Sequence, residues 1–247
     1  MTDIDWSAPW FAPWRASGEA VVARVGEGMA VHQALNRQGA CPVRFVVQQA
    51  LPASMAYERF VHETRSCPTR PNLHDFFNGL AWLQFPQSKA ALNALQAAQI
   101  AMGNLGERRG PVRDAVTVFD ENGALLHAPP ALWSALLARD WMRLFIELRP
   151  LWRQARITVF GHALLEKLAN PRKDLTAHVW CAPAPADPAA SDAWLAGRID
   201  AAALASKPFT PLPLLGIPGW WAENQNFSFY DDSLVFRARR SRQAIKQ

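Results

Sequence analysis

Nineteen prolines divide this chain of 247 residues into short segments. Proline ends or kinks a helix, and it cannot donate a hydrogen bond in a central strand. Seven of the prolines lie within residues 181–218, and two more interrupt the tryptophan-rich N-terminus. The uncharged apolar run at residues 128–137 is much shorter than the roughly 18 residues that indicate a transmembrane helix. The chain is therefore expected to fold from short helices and strands, without a membrane span.

The composition is that of a globular protein. Half of the residues are apolar and 19% are charged, which excludes a disordered chain. The three cysteines, at positions 41, 67 and 181, form neither a CxxC pair nor a disulfide framework. No basic residue precedes Arg15, so we expect no signal or transit peptide and a cytoplasmic, reducing location.

The positive charge is concentrated at the C-terminus. The formal net charge is +5, but residues 237–247 hold five of the 26 bases and no acid. Residues 1–236 therefore balance 21 bases with 21 acids. Nucleic-acid binding usually needs a basic stripe, so we expect it only through this tail; the alternative is a solvated terminus.

Apolar periodicity and breaker residues predict an α+β fold, a helix-rich single domain around a small mixed β-sheet. An irregular Trp/Pro strap spans residues 1–20 and covers part of the core with its tryptophans. The globular domain spans residues 21–240, with a Pro/Ala-rich surface loop at 182–190, and a basic tail follows at 241–247. Helices are predicted at 54–64, 72–83, 89–102, 130–148, 162–168 and 191–204, and strands at 44–47, 156–160, 175–181 and 230–238.

Residues 114–126 are predicted to form a β-hairpin. Two apolar runs flank Asn122-Gly123, a dipeptide typical of a tight hairpin turn, which makes Asp120 and Glu121 turn residues. The strand, helix and strand at 156–181 form the clearest local unit. If this unit is a parallel crossover, it would bring His162 and His178 to one end of the sheet.

The helix predicted at residues 72–83 has two contrasting faces. At 100° per residue, its apolar face gathers Leu73, Phe76, Phe77, Leu80 and Leu83. A solvated face rarely needs a histidine, an aspartate, an asparagine and a tryptophan together, so the opposite face is expected to meet another element or a ligand. That opposite face carries His74, Asp75, Asn78 and Trp82.

Six segments of the chain are tightly specified: PTRPNLHDFFN at 68–78, FPQSKAALN at 85–93, RDAVTVFDENG at 113–123, FGHALLEKL at 160–168, GIPGWW at 216–221 and FYDD at 229–232. Together they resemble a mainly proteobacterial family that is known only as a domain of unknown function. The resemblance covers about residues 40–240 as one domain. It implies a cytosolic bacterial protein, and it implies no activity, substrate or cofactor.

His74, Asp75, His162 and His178 are the candidates for a catalytic site. The three histidines are predicted to bind a divalent metal such as zinc or to perform acid–base chemistry, with Asp75 orienting or ligating. His162 follows Gly161 at a predicted helix N-terminus, which favours a neutral ring. The spacing matches no HExxH or CxxC signature, and the alternative is that each histidine is a hydrogen-bonded structural residue.

Two further groups are candidates for substrate binding. Arg113, preceded by Arg108 and Arg109, offers guanidinium groups that bind anions, and Asp114 can orient Arg113 or form a structural ion pair with it. The other group is the turn at 216–221, whose tryptophans suit stacking on a ligand or form a rigid aromatic plug. It comprises Trp220, Trp221, Asn224 and Asp231, and Asn78 joins the substrate-binding candidates.

The leading interpretation is an intracellular, hydrolase-like enzyme that acts on a small polar or anionic substrate. Its chemistry would be metal-assisted or histidine–aspartate acid–base catalysis. The alternative is a non-catalytic binding module that uses the tryptophan turn and the basic tail. No GxSxG, GxxxxGK[ST] or GxGxxG motif supports a serine hydrolase, a P-loop NTPase or a dinucleotide-binding protein.

Overall fold

The computed structural model describes residues 4–102, 110–183 and 188–239. These residues form an α+β fold in which short helices surround a small mixed sheet, as predicted. The helices are α1 (Arg15–Gly26), α2 (Val31–Asn36), α3 (Tyr57–Thr64), α4 (Leu73–Gln84), α5 (Pro86–Ala101), α6 (Pro111–Asn122), α7 (Pro130–Ala138), α8 (His162–Leu168), α9 (Pro188–Ala196) and α10 (Ala201–Ala205). The strands are β1 (Arg44–Val47), β2 (Ser66–Thr69), β3 (Gly123–His127), β4 (Arg156–Val159), β5 (Thr176–Cys181) and β6 (Thr210–Pro213).

The main sheet has the strand order β4-β3-β5-β6. Strand β3 lies antiparallel to β4 and parallel to β5, and β6 lies antiparallel to β5. Strands β4 and β5 are therefore antiparallel and separated by β3, so the parallel crossover considered for the unit at 156–181 is not formed. Strands β1 and β2 form a separate parallel pair.

The prediction of a hairpin at residues 114–126 is wrong, because helix α6 replaces its first strand. Pro111 occupies the first turn of this helix, where a missing N–H has little cost. Ala115, Val116 and Phe119 are buried together on one helical face. Gly123 has a φ of −75° and begins β3, so the tight hairpin turn expected at Asn122-Gly123 does not form.

Several predicted helices have different bounds. Helix α5 begins at Pro86 and not at residue 89, and the hydroxyl of Ser88 donates to Oδ1 of Asp192 at 2.7 Å. The helix predicted at 130–148 is interrupted at Arg139, which has a φ of 54°, and a π-helical segment follows at Arg143–Glu147. Helix α3 begins at Tyr57 and not at residue 54.

The C-terminal third also departs from the prediction. Two helices, α9 and α10, replace the single helix expected at 191–204, and α9 already begins inside the predicted surface loop. Residues 230–238 do not form a strand; a 3₁₀ helix spans Phe227–Asp231. The tail at 241–247 lies outside the described residues. None of the described helices is long and apolar enough to cross a membrane.

The N-terminal tryptophans cover the core, as predicted. Trp10 and Trp14 are buried. Phe11, between them, stacks on Phe77 of α4 with ring centres 5.6 Å apart. Helix α1 begins at Arg15, so the last part of the predicted strap is helical.

Two turns meet at one end of the sheet. The carbonyl oxygen of Gly123 accepts hydrogen bonds from the backbone nitrogens of Phe160 (2.9 Å) and Gly161 (2.8 Å). Gly161 also lies so close to the backbone of Glu121 and Asn122 that a Cβ atom would overlap it. This contact, which we call the Gly161 junction, fixes the start of α8 against the end of α6.

Gly161→Ala is expected to destabilise the protein by about 1–3 kcal/mol, because the added methyl group would overlap backbone atoms. Gly161 has a φ of −65°, which alanine adopts freely, so the cost is steric. Denaturant unfolding measures the change.

Gly26→Ala is the matched control, since a Cβ at this helical position meets nothing within 4 Å. It is expected to leave stability unchanged or to raise it by up to about 1 kcal/mol. Equal unfolding free energies for Gly161→Ala and the wild type would contradict the assignment of a rigid junction.

Candidate functional site

A cavity of about 370 Å³ opens between helices α3, α4, α5, α6 and α8. Its volume falls within the usual range for small-molecule sites. The polar face of α4 lines it, in agreement with the prediction that this face is not a solvated helix surface. The lining residues from that face are His74, Asp75, Asn78 and Trp82.

Asp75 holds Arg70 at the cavity wall. The side chain of Asn72 caps α4 by accepting a hydrogen bond from the backbone nitrogen of Asp75 at 2.8 Å. The Oδ2 of Asp75 accepts from the backbone nitrogen (2.6 Å) and Nε (3.0 Å) of Arg70, and its Oδ1 accepts from Nη2 (2.9 Å). Both oxygens of Asp75 are engaged by Arg70, so this residue orients Arg70, a different role from the one predicted for it beside the histidines.

His162 is buried at the start of α8, directly after the Gly161 junction. Its Nδ1 lies 2.8 Å from the backbone carbonyl oxygen of Asp120. Burial lowers the pKa of His162 to about 3, and nearby Lys89 and His74 act in the same direction while the Asp120 carboxylate opposes them. The ring is therefore neutral at neutral pH, as the sequence predicts.

His74 and His162 face each other across the cavity wall. Their Nε2 atoms are 3.1 Å apart, and their ring planes are nearly perpendicular, at 78°. The Nδ1 of His74 lies 2.9 Å from Oε2 of Glu166, one helical turn after His162 in α8. Two of the three candidate histidines therefore lie together.

Lys89 and Asp120 form a second charged pair in the cavity. The Nζ of Lys89 lies 2.5 Å from Oδ1 of Asp120 and 5.7 Å from the ring centre of Trp82. Desolvation raises the pKa of the Asp120 carboxyl, but Lys89 and then His162 outweigh it and hold that pKa below its ordinary value. Asp120 is thus the ionised partner of Lys89.

Asn78 links the cavity to a buried hydroxyl–thiol contact. Its Nδ2 donates to the hydroxyl of Tyr57 at 3.1 Å, and that hydroxyl lies 3.1 Å from Sγ of Cys67. Burial raises the pKa of Cys67 to about 11, so the thiol stays protonated at neutral pH. Asn78 remains a substrate-binding candidate because it lines the cavity.

His178 lies away from this cavity, and the three-histidine metal site is wrong. His178 is on β5, and its ring centre lies 5.6 Å from that of Phe209. Because β3 separates β4 from β5, the histidine that follows β4 does not meet the histidine of β5. Across residues 4–102, 110–183 and 188–239, no three His, Cys, Asp or Glu side chains are grouped to hold a metal ion.

The predicted anion site is separate from the histidine pair. Arg113 and Asp114 lie on α6 but do not line the cavity. The Oδ2 of Asp114 accepts a hydrogen bond from Nζ of Lys207 at 2.7 Å. Arg108 and Arg109 lie outside the described residues, so anion binding by this group stays a prediction.

Asn224 in the tryptophan turn is fully buried and makes internal hydrogen bonds. Its Nδ2 donates to the carbonyl oxygens of Leu215 (2.9 Å) and Ile217 (2.8 Å). Its Oδ1 accepts from Nη2 of Arg149 at 3.1 Å. These bonds fix the turn to the fold and leave the amide occupied.

The tryptophans of this turn are packed as well. The ring centre of Trp220 lies 6.0 Å from that of Trp10 in the N-terminal strap. Trp221 is half-buried against the core, and Asp231 is exposed. This packing favours the plug over a stacking platform.

Six charged residues of the site were not among the sequence candidates: Glu58, Arg70, Lys89, Asp120 and Glu121 line the cavity, and Glu166 contacts His74. Glu166 follows His162 by four residues, so the two lie one helical turn apart, and this spacing was the available signal. Asp120 and Glu121 lie in helix α6 and not in the predicted hairpin turn. Lys89 and Arg70 are far from the histidines in sequence, and no local pattern marks them.

The fold and the cavity define an α+β domain with a polar site between its helices. The chain belongs to the family described as "Protein of unknown function (DUF3025)", whose model matches residues 43–240. The predicted membership in a domain of unknown function is therefore confirmed. No curated protein and no solved structure matches the chain. Four of the six segments that carry the resemblance contribute to the cavity, through His74, Lys89, Asp120 and His162.

His162→Asn is expected to reduce the sensitivity of the fold to acid. As pH falls from about 6.5 towards 4, His162 gains a proton in the unfolded chain but not in the folded protein, whose His162 has a pKa of about 3. The wild type therefore loses up to about 1.4 kcal/mol per pH unit from this group, and nothing above pH 7 or so.

Urea unfolding of both proteins at several pH values between 7 and about 4.5 tests this expectation. The stability difference between wild type and variant should shift in favour of the variant as pH falls. A difference that stays constant over this range would contradict the assignment of a neutral, buried His162.

Proposed function

We propose that this chain is an enzyme and that the cavity is its active site, where His74 exchanges a proton with a small polar substrate. The observation that carries the proposal is one hydrogen-bonded line of groups. It runs from the carbonyl oxygen of Asp120 through His162 and His74 to the carboxylate of Glu166. Enzymes use imidazole rings oriented by a carboxylate for general acid–base catalysis.

The first hydrogen in this line belongs to His162. A carbonyl oxygen only accepts, so the Nδ1 of His162 carries a hydrogen and donates it to Asp120. Because burial keeps the ring neutral, its Nε2 has no hydrogen and presents a lone pair. The hydrogen between the two facing Nε2 atoms therefore belongs to His74.

The remaining hydrogen lies between His74 and Glu166. The Nδ1 of His74 faces a carboxylate oxygen at 2.9 Å, a contact that needs a hydrogen on one of the two atoms. If the hydrogen is on the ring, the pair is an imidazolium and a carboxylate; if it is on Glu166, both groups are neutral. This pair can shift a proton without changing its net charge, which suits a group that must both donate and accept.

Of the two histidines in the line, His74 is the one that a substrate can reach. Its side chain is 35% exposed, whereas that of His162 is 7% exposed. When a substrate atom replaces His162 as the partner of the His74 Nε2, His74 can donate its proton to a leaving group or remove one from water. These are the two proton transfers of a hydrolytic reaction. His162 and Glu166 act as positioning residues.

His74→Gln is expected to lower turnover by about 100-fold or more, because an amide cannot exchange a proton at neutral pH. Glu166→Gln keeps a side chain of the same shape but removes its charge, and we expect about a tenfold loss. The purified protein is incubated with a bacterial small-molecule extract, and mass spectrometry identifies the compounds that it consumes.

His178→Gln is the matched control, since it changes a histidine outside the cavity and should retain the wild-type rate. Thermal melting of each variant separates lost chemistry from lost folding. The proposal is overturned if the His74→Gln variant turns over substrate at the wild-type rate. It is also overturned if the wild-type protein consumes no compound. Turnover that a chelator abolishes would show that the reaction needs a metal ion and would contradict the proton-based mechanism.

A further inference from the structure

The two basic side chains on the cavity wall already have anionic partners. Asp75 engages Arg70 through both carboxylate oxygens, and Asp120 engages Lys89 at 2.5 Å. An anionic substrate would have to displace one of these carboxylates to reach a cation. The pairs therefore leave little positive charge to attract an anion.

Two further carboxylates line the same cavity. Glu58 of α3 and Glu121 of α6 are half-buried there, and neither has an ion-pair partner within the described ranges. The pair of His74 and Glu166 adds no net charge when one proton is shared between them. The net charge of the cavity lining is thus negative.

Two amides on α5 have unused hydrogen-bonding capacity at this wall. Asn93 and Gln96 lie one turn apart, and each is only 8% exposed. The Nδ2 of Asn93 donates to the backbone carbonyl of Glu58 at 2.8 Å, but its buried Oδ1 has no partner. The side chain of Gln96 lines the cavity and makes no hydrogen bond in the part of the chain that the structure describes. A buried polar atom without a partner, such as the Oδ1 of Asn93, is costly, and the amide of Gln96 can add a hydrogen bond beside it, so these amides point to a ligand that supplies the missing bonds.

We propose that the substrate of this cavity carries a positively charged hydrogen-bond donor, an alkylammonium or guanidinium group. This group would be bound at the wall of Glu58, Asn93 and Gln96, with Glu121 adding to the attraction. Ammonium and guanidinium groups only donate hydrogen bonds, and carboxylates and amide oxygens accept them. The inference names a substrate class for the proposed enzyme, and it departs from the anionic substrate considered from the sequence.

Calorimetric titration of the wild-type protein with agmatine and putrescine tests the proposal, with succinate and inorganic phosphate as anionic probes. We expect at least one cation to bind and neither anion to bind. Glu58→Gln should weaken cation binding by about tenfold or more, since it removes the charge and keeps the shape. Gln96→Met, which removes the amide at similar size, should weaken it by about fivefold.

Glu223→Gln is the matched control, because it removes the same charge from an exposed position outside the cavity. The proposal is overturned if neither cation binds, if an anion binds instead, or if Glu223→Gln weakens binding as much as Glu58→Gln. Thermal melting confirms that each variant is folded at the titration temperature.

The titration needs no turnover, so its outcome is distinct from that of the acid–base proposal. One possible result is that the His74→Gln variant still binds the cation and the wild-type protein shows no turnover. That result would support this inference and overturn the catalytic role of His74. Consumption of an anionic compound that depends on His74 would support the catalytic role and overturn this inference.

Discussion

The close contact between Gly161 and the backbone of Glu121 and Asn122 holds the candidate site together. It joins the end of α6 to the start of α8, and Gly123 secures it by accepting two backbone hydrogen bonds. Without a side chain at position 161, the two turns can approach until their backbones touch. The Nδ1 of His162 then reaches the carbonyl oxygen of Asp120, and that bond fixes the tautomer of the ring. Every later step of the proton arrangement depends on this tautomer.

The charged groups of the cavity are arranged as pairs of opposite charge. Burial of a lone charge is costly, whereas a hydrogen-bonded pair can be tolerated in a half-buried wall. Lys89 illustrates this, because its side chain is 5% exposed and its ammonium group contacts both a carboxylate and an aromatic face. Such pairing makes the surroundings of His74 nearly neutral. The carboxylates of Glu58 and Glu121, which have no ion-pair partner among the described residues, therefore determine that the cavity favours a positively charged ligand.

Sequence patterns predicted the parts of the site that lie within one element. The polar face of α4 is correct because its residues repeat with helical period and its Asn72 cap is local. The sequence of α6 predicts a strand, because Val116, Thr117 and Val118 favour strands and Asn122-Gly123 favours a turn. Packing of Phe119 and its neighbours into the core outweighs that weak local preference.

The pairing of His162 with His74, and not with His178, follows from strand order, which local patterns do not encode. His162 follows β4 and His178 lies on β5, but β3, which comes earlier in the chain, lies between those two strands in the sheet. The contacts that build the site join residues 31, 88 and 92 positions apart. Short signatures describe sites whose groups share a turn or a helix. A site assembled from distant pairs across helices matches no such signature, and its chemistry becomes visible only when tertiary packing brings those helices together.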